Sequence, residues 1–398
     1  MMSWNKAYSY VPIDFGTTIG TIENITQRSY LWNNVSGTKV KVRFSNRYGS
    51  DELILDKVVI GRRRSSDEPI TDMKVITYKE NEKIQIAAGE EFYSDELSWE
   101  IQAGEEIVLS VYAKEKIQVR SACQTWKANS FYTRYGVGGD FTLEQKFDEV
   151  ECRNIYPYIE ADPNKSNVLV GISDILIEGE ESVKNITMFG DSITHMSYYS
   201  DALWERILHD YKGKATIVNR GIGGNRLLHD ASYLEDRDGH GRCFGIAGMS
   251  RYQKDLFEEN KPDTVLILIG VNDLMHPYLF ERSSKDVVTA EDLIEGITEI
   301  ITSIHEHNAK VYLGTIMPFK LEEEAWVKEA EKVRNEYNEW VRTQKLTDGI
   351  LDFDIALCNA DDKERLQYEM HIGDGLHPNT LGGIKMASLV PIKEIMED

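Results

Sequence analysis

The period of the hydrophobic pattern changes once along the chain, near Val183, and that change limits the fold more than any other feature. Before it, apolar residues come in short runs at period two, as in half-buried strands. Lys39-Val-Lys-Val-Arg-Phe-Ser45 is the clearest case, and Asn46-Arg-Tyr-Gly49 follows it as a turn. Further strands are predicted over 53–60, 83–86, 98–101, 107–112, 117–120 and 168–177. Many short strands with turn residues between them predict an all-β sandwich of jelly-roll type. After Val183, strands predicted over 185–189, 215–219, 262–269, 311–316 and 350–355 alternate with helices. The helices are predicted over 199–211, 250–259, 290–307, 321–344 and 380–396. Residues 262–269 are almost wholly apolar, as a strand covered on both faces must be. In 290–307, Leu293, Ile294, Ile297, Ile300, Ile301 and Ile304 fall at helical spacing. This alternation predicts a parallel, doubly wound α/β sheet. The expected layout is a β-sandwich accessory domain over 1–180 and an α/β domain over 181–398. The join at Gly179-Glu-Glu-Ser182 is short, so the two are expected to pack together.

Composition narrows the partners. With 398 residues, 41% of them apolar and 28% charged, the chain has the make-up of a globular protein. A net charge of −22 argues against nucleic-acid backbones and anionic membrane surfaces as partners. Cys123, Cys152, Cys243 and Cys358 are far apart, with no metal-site spacing, and read as free thiols of a reducing compartment. The first residues lack the basic and apolar regions of a signal peptide. No apolar run approaches the roughly 20 residues of a membrane span. A cytoplasmic location is expected.

The chemistry lies in four blocks of the second half. Thr187-Met-Phe-Gly-Asp-Ser-Ile-Thr-His195 is strand, tight turn, then helix, which puts the Ser192 hydroxyl at the carboxyl end of a parallel strand. A serine nucleophile needs a base and an oxyanion hole. Gly221-Ile-Gly-Gly-Asn225 follows the next strand and can turn backbone N–H groups inward. Gly270-Val-Asn-Asp273 follows the most apolar strand and offers a side-chain amide, while Asp374-Gly-Leu-His377-Pro378 offers a carboxylate and an imidazole three residues apart. Each block also has a plain structural reading: a helix N-cap for Ser192, loops for the glycines, an Asx turn for Asn272, half a metal site for Asp374 and His377. A phosphate-binding loop fits Gly-Ile-Gly-Gly-Asn-Arg poorly, because no Gly-Lys-Ser/Thr ending follows.

In this order the blocks resemble those of the SGNH/GDSL hydrolase family. The resemblance implies Ser192 as nucleophile, His377 as general base and Asp374 as its orienting carboxylate. It implies an oxyanion hole from the Ser192 N–H, the Gly224 N–H and the Asn272 amide. Gly224 follows from alignment on Asn219, and a shift of one glycine would place Gly223 there instead. His195, Asn225, Asp273 and His276 are expected near substrate, Asp273 more as a buttress of its loop, while a surface role is the favoured reading of His195, His276 and His371. His371 lies near the site loops, and His305 and His307 are expected on a solvated helix end. No metal or cofactor is expected.

The substrate is less constrained. Arg43-Phe-Ser-Asn-Arg-Tyr-Gly49, with Gly89 and Ser94-Asp95, resembles the β-rich amino-terminal domain of a bacterial subgroup of that family that includes esterases linked to xylan breakdown. There is no long apolar cap segment, and residues 229–248 are rich in polar residues and glycine. Both favour a short acyl group on a hydroxylated ligand, so deacetylation of an oligosaccharide such as a xylo-oligosaccharide is expected. A broad short-chain esterase, lipase or arylesterase stays open. So does a silent carbohydrate-binding protein on a hydrolase scaffold. In the first half, Trp126, Arg134 and Tyr135 are candidates for a sugar platform, with sandwich core as the other reading of the tryptophan. Ser45, Asn46, Arg47 and Tyr48 read as turn chemistry plus an ion pair at a domain interface, or as a loop over the active site.

Overall fold

The computed structural model describes residues 2–126, 129–156, 167–180, 183–231, 242–280, 284–320 and 324–397. They fall into two units, Met1–Val183 with Arg206–Val218, and Lys184–Glu205 with Asn219–Asp398.

The first unit is built on antiparallel strands. A six-stranded sheet runs in the order Glu149–Val150, Phe131–Val137, Ile25–Leu31, Glu106–Ala113, Lys57–Arg63, Thr71–Val75. In a second sheet Ile172–Glu180 lies between Met2–Ser9 and Gly37–Ser45, and Glu91–Tyr93 and Leu97–Ile101 pair along the other edge of Gly37–Ser45. Val40, Val42 and Phe44 are fully buried, so the period-two run forms the strand it predicts. The predicted strand over 53–60 breaks at Asp56. Leu53–Leu55 pairs with Ile84–Ile86, whereas Lys57–Arg63 joins the six-stranded sheet. The Asp56 N–H donates to Tyr112 O at 2.9 Å and its carboxylate accepts from Lys114 N–H at 2.8 Å. That turns the chain from one sheet into the other. The central strand Ile25–Leu31 is not predicted. All seven of its residues are buried although four are polar.

A five-stranded sheet has the order Ala215–Gly221, Lys184–Gly190, Thr264–Leu268, Lys310–Gly314, Gly349–Leu351. The last four pair in parallel. Numbered along the chain this order is 2-1-3-4-5, and the direction of winding reverses between strands 1 and 3, where ligands of such sheets bind. Helix Ala290–Glu306 buries Leu293, Ile297, Ile300 and Ile304 completely, each contributing about 1.5–3 kcal/mol. A capping box between Thr289 and Asp292 starts that helix. Several predicted elements differ in their bounds. The strand over 350–355 ends at Leu351, because Asp352 caps a helix Phe353–Leu357 by accepting from Ile355 N–H. The helix over 380–396 divides into Thr380–Leu389 and Ile392–Glu397 around Pro391, which lacks the N–H a continuous helix needs. The helix predicted from 321 is seen as Ala325–Thr343, and residues 321–323 lie outside the described ones.

Candidate active site

Strand Lys184–Gly190 delivers Ser192 to the start of a short helix, Ser192–His195. The Asp191 carboxylate caps it, accepting from Ile193 N–H at 3.0 Å through Oδ1, while Oδ2 is buried without a hydrogen-bond partner. Burial pushes the Asp191 carboxyl up to about 7, against the Ile193 N–H that favours its charge.

From the far end of the sequence, His377 Nε2 lies 2.8 Å from Ser192 Oγ, and His377 Nδ1 lies 2.6 Å from Asp374 Oδ2. The other Asp374 oxygen accepts the N–H groups of Leu376 and His377, each at 3.0 Å. The carboxylate is thus fixed by its own turn. Burial opposes its ionisation, but the hydrogen bond and charge of His377 outweigh burial and hold it below the usual carboxylate range. His371 braces the same turn, its Nδ1 accepting from Gly373 N–H at 3.0 Å and Gly375 N–H at 3.1 Å.

Beside Ser192 lies the glycine loop. His195 Nδ1 accepts the Gly223 N–H at 3.0 Å, so that donor is already committed. Gly224, the next residue, has a left-handed backbone at φ +73°. Among the described residues the N–H groups of Ser192 and Gly224 meet no acceptor. Asn272 stands in the first turn of helix Val271–Leu279, which follows Gly270 at φ +122°. One Asn272 amide hydrogen goes to Asn225 O at 3.0 Å, leaving the second for another acceptor. Backbone N–H groups and a side-chain amide are the kinds of donor from which an oxyanion hole is built.

The side chains of Asn225 and Asp273 are spent on hydrogen bonds inside the protein, Asp273 as a buttress of the glycine loop. The Asn225 amide donates to Phe244 O and Ile246 O, both at 2.8 Å, and its oxygen accepts from Arg251 Nε at 2.9 Å. Asp273 accepts from the N–H groups of Leu227 at 2.7 Å and Leu228 at 2.9 Å. His276 is buried between the rings of Phe244 and Phe280, at 5.0 and 4.8 Å between centroids. Burial lowers its imidazole to about 3. Of the loop 229–248, residues 232–241 lie outside the described ones.

Elsewhere, His305 pairs with Asp348 and His307 stacks on Phe257 at 3.7 Å, and both are exposed at the helix end, as expected. Tyr135 is fully buried, its hydroxyl donating to Val168 O at 2.8 Å, and so cannot form a sugar platform. Arg134 lies over the ring of Tyr132. Trp126 is half-buried. Arg47 pairs with Glu91 of its own sheet, and the Asn46 amide closes the turn onto Asp51 O and Ile86 O. All four cysteines are free thiols. Among the described residues, no group of three or more His, Cys, Asp or Glu side chains is placed to hold a metal ion, and no helix is long and apolar enough to cross a membrane.

Residues 188–383 match the model of the GDSL-like lipase/acylhydrolase family. No curated protein matches the chain. Among solved structures, a catalytic mutant of an acetylxylan esterase from Geobacillus stearothermophilus is 18% identical with a TM-score of 0.41, over 54% of this chain and 94% of that one. An α/β hydrolase enzyme from the metagenome of Lake Arreo, Spain, is 19% identical with a TM-score of 0.39, over 54% and 95%. A GDSL-like lipase from Bacteroides thetaiotaomicron is 15% identical with a TM-score of 0.37, over 54% and 88%.

Proposed function

Because residues 188–383 of this chain are a GDSL-like lipase/acylhydrolase domain, we propose that it is a serine esterase that removes short acyl groups, acetyl above all, from oligosaccharides such as acetylated xylo-oligosaccharides. The observation that carries the mechanism is the unbroken chain Ser192 Oγ, His377 Nε2, His377 Nδ1, Asp374 Oδ2, at 2.8 and 2.6 Å. Ser192 Oγ attacks the ester carbonyl carbon as His377 Nε2 takes its proton. The oxyanion is held by the N–H groups of Ser192 and Gly224 and by the Asn272 amide. Collapse breaks the carbon–oxygen bond to the alcohol, which leaves with the proton from His377. Water then attacks the acyl-serine, giving its proton to His377, and the acid departs as that proton returns to Ser192. Asp374 holds the imidazole in the tautomer with hydrogen on Nδ1 throughout.

The preference for a short acyl group rests on Phe244. A methyl group added at Gly224 would overlap the Phe244 ring, and His276 and Phe280 pack behind that ring. Aromatic side chains therefore fill the space beside the glycine donor. The carbohydrate leaving group rests on the polar, glycine-rich composition of 229–248. Residues 1–180 serve as an accessory domain in this reading.

The test is acetate release from acetylated xylo-oligosaccharides, with a p-nitrophenyl ester series alongside and Ser192→Ala as control. Acetate from the wild type alone, with rates falling beyond short acyl chains, is expected. Turnover of p-nitrophenyl esters without acetate from the sugars would retain the esterase and discard the carbohydrate. Full activity in a folded Ser192→Ala protein would remove the nucleophile.

A further inference from the structure

Arg251 is buried beneath the site, and no step of the proposed reaction uses it. Among the described residues its guanidinium donates in three directions. Nη2 donates to Gly190 O at 2.8 Å, two residues before Ser192. Nε donates to Asn225 Oδ1 at 2.9 Å, one residue after Gly224. Nη1 donates to Arg220 O at 2.9 Å, at the strand end that leads into the glycine loop. Nη1 also donates to Asp255 Oδ2 at 2.6 Å, one helical turn on, which balances the charge. The guanidinium carbon lies 4.2 Å from the centre of the Phe189 ring, on the strand that carries the serine. Asn225 extends the link, since its backbone oxygen accepts the Asn272 amide at 3.0 Å. One cation is therefore bonded next to the backbone of both N–H donors and, through Asn225, to the third.

We propose that Arg251 is the positioning residue of the oxyanion hole: it fixes the separation of the Ser192 turn and the Gly224 loop so that their N–H groups and the Asn272 amide converge on one oxygen. This rests on the esterase reading of the site. A planar fork suits the task, because its donors diverge at fixed angles and reach two separate backbone carbonyls and two side-chain oxygens at once. An ammonium offers donors from a single point on a flexible stem and cannot hold three partners in those directions. Misplacement of a donor by an ångström weakens the bond made in the transition state far more than it weakens ground-state binding.

The experiment compares Arg251→Lys with Arg334→Lys. Arg334 is an equally buried arginine of the same unit, bonded to Glu331 and Asp354. Both variants are read for kcat and KM on p-nitrophenyl acetate, for affinity to a short alkyl boronic acid that forms a tetrahedral adduct on serine, and for melting temperature. Arg251→Lys is expected to lower kcat about 10- to 100-fold, to leave KM within about twofold, and to weaken the boronate in proportion to kcat. Arg334→Lys is expected to melt lower with kcat nearly unchanged. Asn225→Ser, which cuts the link from Arg251 to the glycine loop, should repeat the Arg251→Lys pattern and serves if that variant does not fold. Unchanged kcat and boronate affinity in Arg251→Lys or Asn225→Ser would overturn the assignment. So would an equal loss of kcat in Arg334→Lys. Ser192→Ala, run beside them, separates the two levels: activity in that variant sinks the esterase reading itself, whereas an inactive Ser192→Ala with a fully active Arg251→Lys sinks only the positioning role.

Discussion

Replacing Asn272 with alanine should produce two effects of different origin, and their sizes can be set in advance. The first is catalytic. Losing one oxyanion donor lowers kcat by about 100- to 1000-fold in hydrolases, or roughly 3–4 kcal/mol of transition-state stabilisation, with little change in KM. The second is structural. The same amide donates to Asn225 O at 3.0 Å, and Asn225 is wholly buried. Alanine leaves that carbonyl without this donor, a cost of about 1–3 kcal/mol. In a unit of this size each kcal/mol moves the melting point by about 2–4 °C, so a fall of roughly 5 °C is expected. Initial rates on p-nitrophenyl acetate measure the first effect, and thermal unfolding at pH 7 measures the second. Asn272→Asp sharpens the comparison: it keeps the shape but sets a carboxylate oxygen against both Asn225 O and the developing oxyanion, and should be at least as damaging. A folded Asn272→Ala enzyme with kcat within threefold of wild type would refute the donor role, whatever its melting point.

Two further outcomes follow from burial beside the site. Burial raises the Asp191 carboxyl to about 7 and that of Asp273 to about 6, each above its unfolded value, so their contribution to stability is fully present in acid and is lost as pH rises through those values. Asp374, held below the usual range chiefly by His377 against burial, acts oppositely and loses its contribution as pH falls through its folded value. Asp191→Asn keeps the cap on Ile193 but cannot ionise. Its urea-unfolding stability relative to wild type should therefore rise from pH 5 to pH 8 by on the order of a few kcal/mol, and a gap independent of pH would contradict the assignment. Phe244→Ala should open the space beside Gly224. At about 0.8 kcal/mol per buried methylene, kcat/KM for the butyrate ester should gain roughly tenfold over acetate, and an unchanged chain-length profile would show that Phe244 does not limit the acyl group.

The sequence made the alternation of strands and helices legible because it depends on period, and the residues now proposed as catalytic because their chemistry needs particular side chains. Polar residues serving structure were harder to separate from those serving substrate. Asn225 and Asp273 stand beside the proposed donors, yet their side chains are consumed by the backbone of 227–228, 244 and 246. Nothing in their spacing reveals which way a polar group points. Arg251 escaped notice for the same reason, as an arginine in a helix pattern reads as solvent-facing. Strand Ile25–Leu31 was hidden because its composition is polar. Arg28 is buried only because Phe141 O, Glu144 O and Ser110 Oγ surround its guanidinium, and those partners lie about a hundred residues away. The predicted strand over 350–355 runs past Leu351 because Asp352 in an apolar run reads as strand rather than as a helix cap.

The Asp374–His377 turn makes its own hydrogen bonds and comes after the last strand of the parallel sheet, Gly349–Leu351. The serine and all three proposed oxyanion donors come before the exposed link at 344–348. A cut in that link would leave the proposed nucleophile and anion site on one fragment and the proposed proton acceptor on the other. Neither fragment could hydrolyse an ester alone. Hydrolysis would appear only on reassembly, which makes the fold a natural two-part reporter whose signal is turnover rather than fluorescence.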